Sequence, residues 1–184
     1  MKEHLFFKTF AFHFETLRTL WYAPANGSDF GEVLSILPLI KEGDYESWYQ
    51  AWKTLAERTE SSAKNCKDSV SSGRALLRAN RYNCAAEFYL HPLDERKINA
   101  YEKSKEVFYE GLDQLKIFYE LNSVSYKSGK LRTLFLPATH NPDARTLMIC
   151  GGFDATLEEL YYTAAQDALL RNYNVLIYEG PWAV

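Results

Sequence analysis

Three cysteines, Cys66, Cys84 and Cys150, stand far apart in a chain of 184 residues. An odd, scattered set builds neither a disulfide framework nor a zinc-ligand pattern, and Cys150, last in an apolar run, reads as a small core residue. Histidine is almost as sparse. His4, His13, His91 and His140 show no His-x-x-x-His or Glu-x-x-His spacing with a second ligand, so no metal and no cofactor is expected, and each reads as structural or solvated. No apolar run is long enough to cross a bilayer. Lys8 cuts short any signal-peptide core, and a cytosolic, cytoplasmic protein is expected. Charge of one sign is lacking too. The net charge is −3 with no long run of either sign, which argues against nucleic acid or an anionic membrane as the main partner. What is plentiful is apolar surface: 47% of residues are hydrophobic and 15% aromatic, ample for the core of one domain or a domain and a half.

The first two-thirds of the chain carries helical periodicity. Phe10, Phe14, Leu17 and Trp21 share one face, and this cluster reads as core or as an interface arm. Pro24, Asn26 and Gly27 break the pattern. Asp29 and Glu32 are spaced as an N-cap and its N3 partner, and Pro38 ends or kinks the helix they open. Asp44 caps the clearest helix, where Tyr45, Trp48, Tyr49, Trp52, Leu55 and Ala56 recur at helical spacing. That stripe reads as core in preference to a pocket lining, because large rings dominate burial. Ser61–Ser72 is polar and turns into a second helix, with no breaker before Gly73. Leu76, Leu77, Tyr82, Ala85, Ala86, Phe88 and Tyr89 supply its apolar positions until His91-Pro92. Asp94 caps a third long helix carrying Ile98, Tyr101, Phe108, Leu112, Leu115 and Tyr119. Gly111 inside it costs roughly 1 kcal/mol relative to alanine, which hints at close packing. These hairpins resemble a tetratricopeptide array, but the spacing is not that repeat's period and no third copy follows.

At Asn122 the period changes. Val124 and Tyr126 alternate with polar residues as in a half-buried strand, Ser128-Gly129-Lys130 turns, and Leu131–Leu136 returns as far as Pro137. This divides the chain into residues 1–122, helical, and 123–184. After a loop at His140-Asn141-Pro142-Asp143, Leu147–Cys150 and Val175–Tyr178 read as short buried parallel strands. Between them Leu157, Leu160, Tyr161, Ala164 and Ala168 recur at helical spacing, completing a βαβ unit. The Gly151-Gly152 turn sits at the carboxyl end of the first of these strands, where open α/β sheets put their chemistry.

Gly151-Gly152-Phe153-Asp154, followed by Glu158-Glu159 and Asn174-Val175-Leu176-Ile177-Tyr178-Glu179-Gly180-Pro181, resembles the oxyanion segment of α/β-hydrolases. The similarity is to the branch with a long helical N-terminal region, that of dihydroxypseudooxynicotine hydrolase. Within it the match is to fungal hydrolases of fusarin- and cytochalasin-type biosynthetic clusters. Phe6-Phe7, Asp29–Leu34, Asp44–Tyr49 and Ala56–Thr59 extend the resemblance over nearly the whole chain.

The resemblance implies an α/β fold: a helical, cap-like region that helps make a homodimer, then the first four strands of an incomplete hydrolase sheet in the order first, second, fourth, third. It implies that the N–H of Phe153 or Gly152 is an oxyanion-hole donor. Gly151 belongs to the structural turn, and Asp154 or Thr156 is the helix N-cap, Thr156 having capping-box spacing with Glu159. Glu158 and Glu159 read as helix-start electrostatics, and Asn172 as a left-handed helix end.

No Gly-x-Ser-x-Gly elbow occurs in the sequence. The family's elbow, acid and histidine lie beyond the strand ending at Glu179, and the departure from its pattern begins at Trp182. No residue of a catalytic triad is therefore assigned. The parent enzyme would cleave an ester, amide or activated C–C bond of a small secondary metabolite, and the chain alone would be inactive. The alternative is a non-catalytic helical binding module with a short α/β appendage.

Overall fold

A computed structural model describes residues 5–127, 129–138, 143–152 and 154–180. The chain divides into two compact units, Met1–Lys116 and Ile117–Val184.

The first unit holds helices α1 (Phe10–Trp21), α2 (Phe30–Ile36), α3 (Tyr45–Lys64), α4 (Ser69–Glu87) and α5 (Glu95–Gln114). Four aspartates start four of them. Asp29, Asp44, Asp68 and Asp94 each accept a backbone N–H from the first turn, satisfying donors that have no intrahelical partner. At α2 the reciprocal half of the capping box is not made by Glu32. Its carboxylate accepts instead from Arg78 at 2.8 and 2.9 Å and from the Tyr82 hydroxyl at 2.7 Å. The Tyr82 oxygen in turn accepts the Asp29 N–H at 2.9 Å.

The α3 stripe is core, as its spacing predicts. Trp48, Trp52, Leu55 and Ala56 are wholly buried, while Tyr45, at the helix start, is exposed. The Trp48 Nε1–H donates to the Ala85 carbonyl at 2.7 Å, which lets a polar ring edge enter an apolar interior. Three readings need correction. Phe10, Phe14, Leu17 and Trp21 are not core, because the core takes the other face of α1, with Phe12 and Leu20. The Phe12 ring sits 4.6 Å from Trp48 and 5.5 Å from Tyr89, filling the space that the outer face would have needed. Gly73 breaks nothing. It lies inside α4, where an added Cβ would fall 2.6 Å from Leu115 Cγ. In α5, Phe108 and Leu112 are buried as read, but Ile98 is exposed and Tyr119 lies past the helix end, and Ser104, Val107 and Gly111 complete the buried face.

The second unit is built on a four-stranded sheet of β1 (Glu120–Tyr126), β2 (Gly129–Leu136), β3 (Thr146–Cys150) and β4 (Asn174–Tyr178), in the order β1-β2-β4-β3. β1 and β4 both pair antiparallel with β2, and β3 runs parallel to β4. The period change at Asn122 falls inside β1. The hairpin closes with Tyr126 opposite Gly129, and Lys127 takes the left-handed conformation (φ 50°) that tight hairpin turns require. Ser128 lies outside the described residues.

The buried apolar residues of the sheet are Leu134, Leu136, Val175 and Ile177, and Leu157, Tyr161 and Ala165 are buried in the segment that follows β3. Those three come from a continuous helical segment: α6 (Leu157–Leu160), a π-turn (Tyr161–Ala165) and α7 (Gln166–Leu170). Asn172 ends it at φ 59°, as expected for a left-handed cap. The two outer strands are not buried as their patterns predict. Every residue of β1 is exposed, and in β3 only Ile149 is even partly covered. Both are sheet edges, and burial of a strand depends on layers that its own alternation does not supply. Cys150 is accordingly exposed and not a core residue.

Candidate functional site

β3 ends at Cys150, and the chain turns through Gly151-Gly152 towards α6. The two glycines serve different ends. A Cβ on Gly151 would lie 2.4 Å from the Ala155 Cβ and 3.2 Å from Leu160 Cδ1, so the turn closes onto the helix start only without a side chain there. A Cβ on Gly152 would meet no atom of the described residues within 4 Å. Phe153 lies outside the described residues.

Thr156 is the N-cap of α6, its hydroxyl accepting the Glu159 N–H at 3.3 Å. Asp154 is therefore not the cap. It precedes Thr156 by two positions, and the extended backbone that places a side chain over the first turn occurs at Thr156.

Behind the turn lies a buried charge cluster. Glu158 and Glu179 are 1% and 2% exposed, and Arg132 of β2 joins them: Nη2 to Glu158 Oε1 at 2.6 Å, Nη1 to Glu179 Oε1 at 3.1 Å. Glu179 Oε1 also accepts the Leu157 N–H at 3.3 Å. One guanidinium thus ties β2, the end of β4 and the first turn of α6, and with them the frame of the Gly-Gly turn. Glu158 and Glu159 are both buried, which goes beyond solvated helix-start electrostatics. Arg132 and Glu179 carry no role in the sequence reading. The available signal was an arginine within an apolar strand and an acid directly at the end of another.

The Tyr178 hydroxyl, on the neighbouring strand end, is held above the usual phenol range first by its hydrogen bond with Cys150. Burial pushes Tyr161 up to about 12. On the opposite end of β4, the Asn174 side chain accepts the Ala138 N–H at 2.7 Å and donates to the Ala144 carbonyl at 3.0 Å, holding together the two ends of the 139–142 segment. His91 Nδ1 accepts the Leu93 N–H at 3.2 Å and His13 Nδ1 the Phe6 N–H at 3.4 Å, while His4 and His140 lie outside the described residues. Among the described residues no group of three or more His, Cys, Asp or Glu could hold a metal.

A helical region, a mixed sheet ordered β1-β2-β4-β3 and a Gly-Gly turn between β3 and its crossover helix together form the beginning of an α/β-hydrolase fold. The crystal structure of 2,6-dihydroxy-pseudo-oxynicotine hydrolase is similar at a TM-score of 0.68 and 19% identity, over 88% of this chain and 45% of that one. By sequence the chain is 38% identical to the hydrolase acrC of Aspergillus aculeatus, over 96% of this chain and 46% of the relative. It is also 38% identical to the 20-hydroxy-prefusarin hydrolase of Gibberella moniliformis, over 97% of this chain and 45% of the relative. No protein-family model matches. The chain is thus similar in sequence to fungal hydrolases and in fold to an α/β-hydrolase, and it spans less than half the length of the curated relatives it matches.

Proposed function

We propose that the Gly151–Phe153 segment supplies one half of an oxyanion hole in a serine α/β-hydrolase acting on an ester, amide or activated C–C bond of a small secondary metabolite. The observation that carries the reading is the steric demand at Gly151. It folds the turn onto the start of α6 at the carboxyl end of β3, while a Cβ on Gly152 would meet none of the described residues within 4 Å. A backbone N–H of Phe153 or Gly152 would then stabilise the charge that develops on the substrate oxygen. The nucleophile, base and acid are contributed by no motif in this chain, so the chain alone is inactive. In this reading residues 1–122 form a cap and dimerisation region and 123–184 belong to the hydrolase domain. The enzyme is a cytosolic homodimer, a location supported by the free, exposed Cys66 and Cys150.

The test joins this chain in frame to the nucleophile-bearing half of the Gibberella relative. The fusion is expected to react with a fluorophosphonate and turn over an ester, whereas the chain alone does neither. Gly152→Val in the fusion is expected to lower kcat on the order of 10²–10³-fold, the loss of one oxyanion donor. An unchanged kcat in a folded variant would remove Gly152 and Phe153 from the site.

A further inference from the structure

The turn between β3 and α6 is anchored at both ends by consecutive residues of β4 and its continuation. At its start, Cys150 lies opposite Tyr178 in the parallel pairing of β3 with β4. At its end, the Leu157 N–H donates to Glu179 Oε1 at 3.3 Å. Residues 151–156 thus leave the sheet beside one residue and come back to the side chain of the next. The near anchor is a strand, held by its own ladder. The far anchor is a side-chain carboxylate, and where it sits decides where the turn presents its N–H groups.

That carboxylate is itself held in place. The Glu179 N–H donates to the Arg132 carbonyl at 3.2 Å, and the Arg132 guanidinium donates to Glu179 Oε1 at 3.1 Å. The backbone bond carries the antiparallel register one step past Thr133 opposite Tyr178, and the side-chain bond fixes the carboxylate beside the start of α6. The same guanidinium reaches Glu158, in the first turn of α6, at 2.6 Å. Hydrogen bonds to an ionised partner are roughly twice as strong as neutral ones, and at 2% exposure of Glu179 little water competes for them. Thr156 caps the same helix start, but through the Glu159 N–H of the helix's own first turn. It shapes the turn without tying it to the sheet.

We infer that Glu179 is the positioning residue of the turn after β3: held by Arg132, its carboxylate sets where Gly151 and Gly152 present their backbone. The kinetic consequence rests on the oxyanion reading proposed above, and the structural one rests on these hydrogen bonds alone. Reach, and not charge, is what positions. Glu179→Asp keeps the charge and draws the carboxylate back by about 1.5 Å, one carbon–carbon bond. Glu179→Gln keeps the length and an oxygen that accepts the Leu157 N–H.

Nuclear magnetic resonance and amide exchange on the chain itself test the structural part. In Glu179→Asp the Leu157 amide should exchange about 10-fold faster or more, the loss of one hydrogen bond to a charged group. The Gly151 and Gly152 amide resonances should shift with it. In Glu179→Gln both glycine resonances should stay close to the parent's. Ile177 of β4 should remain protected in both variants, which controls for folding. Should Glu179→Asp lose that protection, Arg132→Lys takes its place, since it removes the fork and leaves Glu179 intact. The changes expected of it at Leu157 and the two glycines are the same.

In the fusion enzyme, Glu179→Asp should lower kcat by up to about 10²-fold, as a misplacement of roughly 1 Å does, with KM unchanged. Glu179→Gln should stay close to the parent. Rates are taken per site titrated with the fluorophosphonate, because a merely structural loss lowers the number of active sites and leaves kcat per site as it was. Glycine resonances that stay in place in Glu179→Asp overturn the positioning role. A larger effect in Glu179→Gln than in Glu179→Asp overturns it too, because charge alone would then account for the effect. Shifted glycine resonances with an unchanged kcat per site remove the turn from the active site and leave Glu179 its hold on the turn. A fusion inactive in every form overturns the oxyanion reading, and the glycine resonances alone then decide for or against Glu179.

Discussion

A Cβ on Gly73 of α4 would lie 2.9 Å from the carbonyl oxygen of Gly111 in α5, so the two helices meet backbone to backbone. Both glycines sit in helix interiors, where alanine would be favoured by about 1 kcal/mol. Close approach of the helices outweighs that preference. Gly73→Ala also meets Leu115 Cγ at 2.6 Å and is expected to cost about 1–3 kcal/mol despite its better propensity. Gly111→Ala, whose nearest contacts are 3.1–3.3 Å, should cost less. Urea unfolding of the two variants checks the order, and equal stabilisation by both would show that the helices are free to separate.

Tyr82 replaces the missing half of the α2 capping box, accepting from Asp29 N–H and donating to Glu32. Tyr82→Phe takes the hydroxyl partner from that N–H and leaves Glu32 Oε2 with Arg78 Nε alone, at a part-buried site. The expected cost is about 1–3 kcal/mol, read as a lower midpoint of thermal unfolding. A variant as stable as the parent would mean that water takes over both hydrogen bonds.

Burial raises the hydroxyl pKa of Tyr82 and Tyr89 above the ordinary 10.0, with Glu32 adding to it at Tyr82 and Glu15 at Tyr89. Burial raises Tyr161 to about 12. For each, the folded chain keeps a proton that the unfolded chain has lost once the pH passes 10. The stabilisation is complete below that value and is lost as pH rises towards and through the folded pKa. Stability measured by denaturant at successive pH values should fall above pH 10, and Tyr161→Phe should flatten the part of the fall assigned to the second unit. A flat profile through pH 11 would contradict the raised values.

Removing Arg132 leaves Glu158 and Glu179 buried without their shared cation. Breaking a buried pair typically costs about 3–5 kcal/mol. Because the arginine side chain is 30% exposed, about 2–4 kcal/mol is expected for Arg132→Met. Arg132→Lys should recover only part of it, since a single ammonium cannot present the fork that reaches both carboxylates. Hydrogen exchange should show faster opening at the Leu157 amide in both variants. Arg132→Met combined with Glu158→Gln and Glu179→Gln should be less destabilised than Arg132→Met alone, and failure of that rescue would show that the cluster contributes packing and not charge.

Local chemistry determined much of this protein from its sequence. Asp29, Asp44 and Asp94 before helical periods marked three helix starts, because a short carboxylate satisfies the orphan N–H groups of whatever helix follows it. Alternation and the turn read at Ser128-Gly129-Lys130 marked the hairpin, although β2 already begins at Gly129, and the residues from Gly151 to Pro181 carried the α/β-hydrolase resemblance. Tertiary structure alone decided which surfaces are covered. The more apolar face of α1, with Phe10, Phe14, Leu17 and Trp21, is exposed, and the mixed face with Phe12, Glu15, Thr16, Thr19 and Leu20 is buried, Phe12 fitting among Trp48 and Tyr89. β3 reads as a buried strand and is an exposed edge, because its burial depends on a neighbour on its far side, and none is present among the described residues. Arg132, Glu158 and Glu179 lie far apart in sequence, and no local pattern pairs them. Their meeting follows from the antiparallel register of β2 with β4 and the crossover from β3, which bring one guanidinium within reach of two carboxylates.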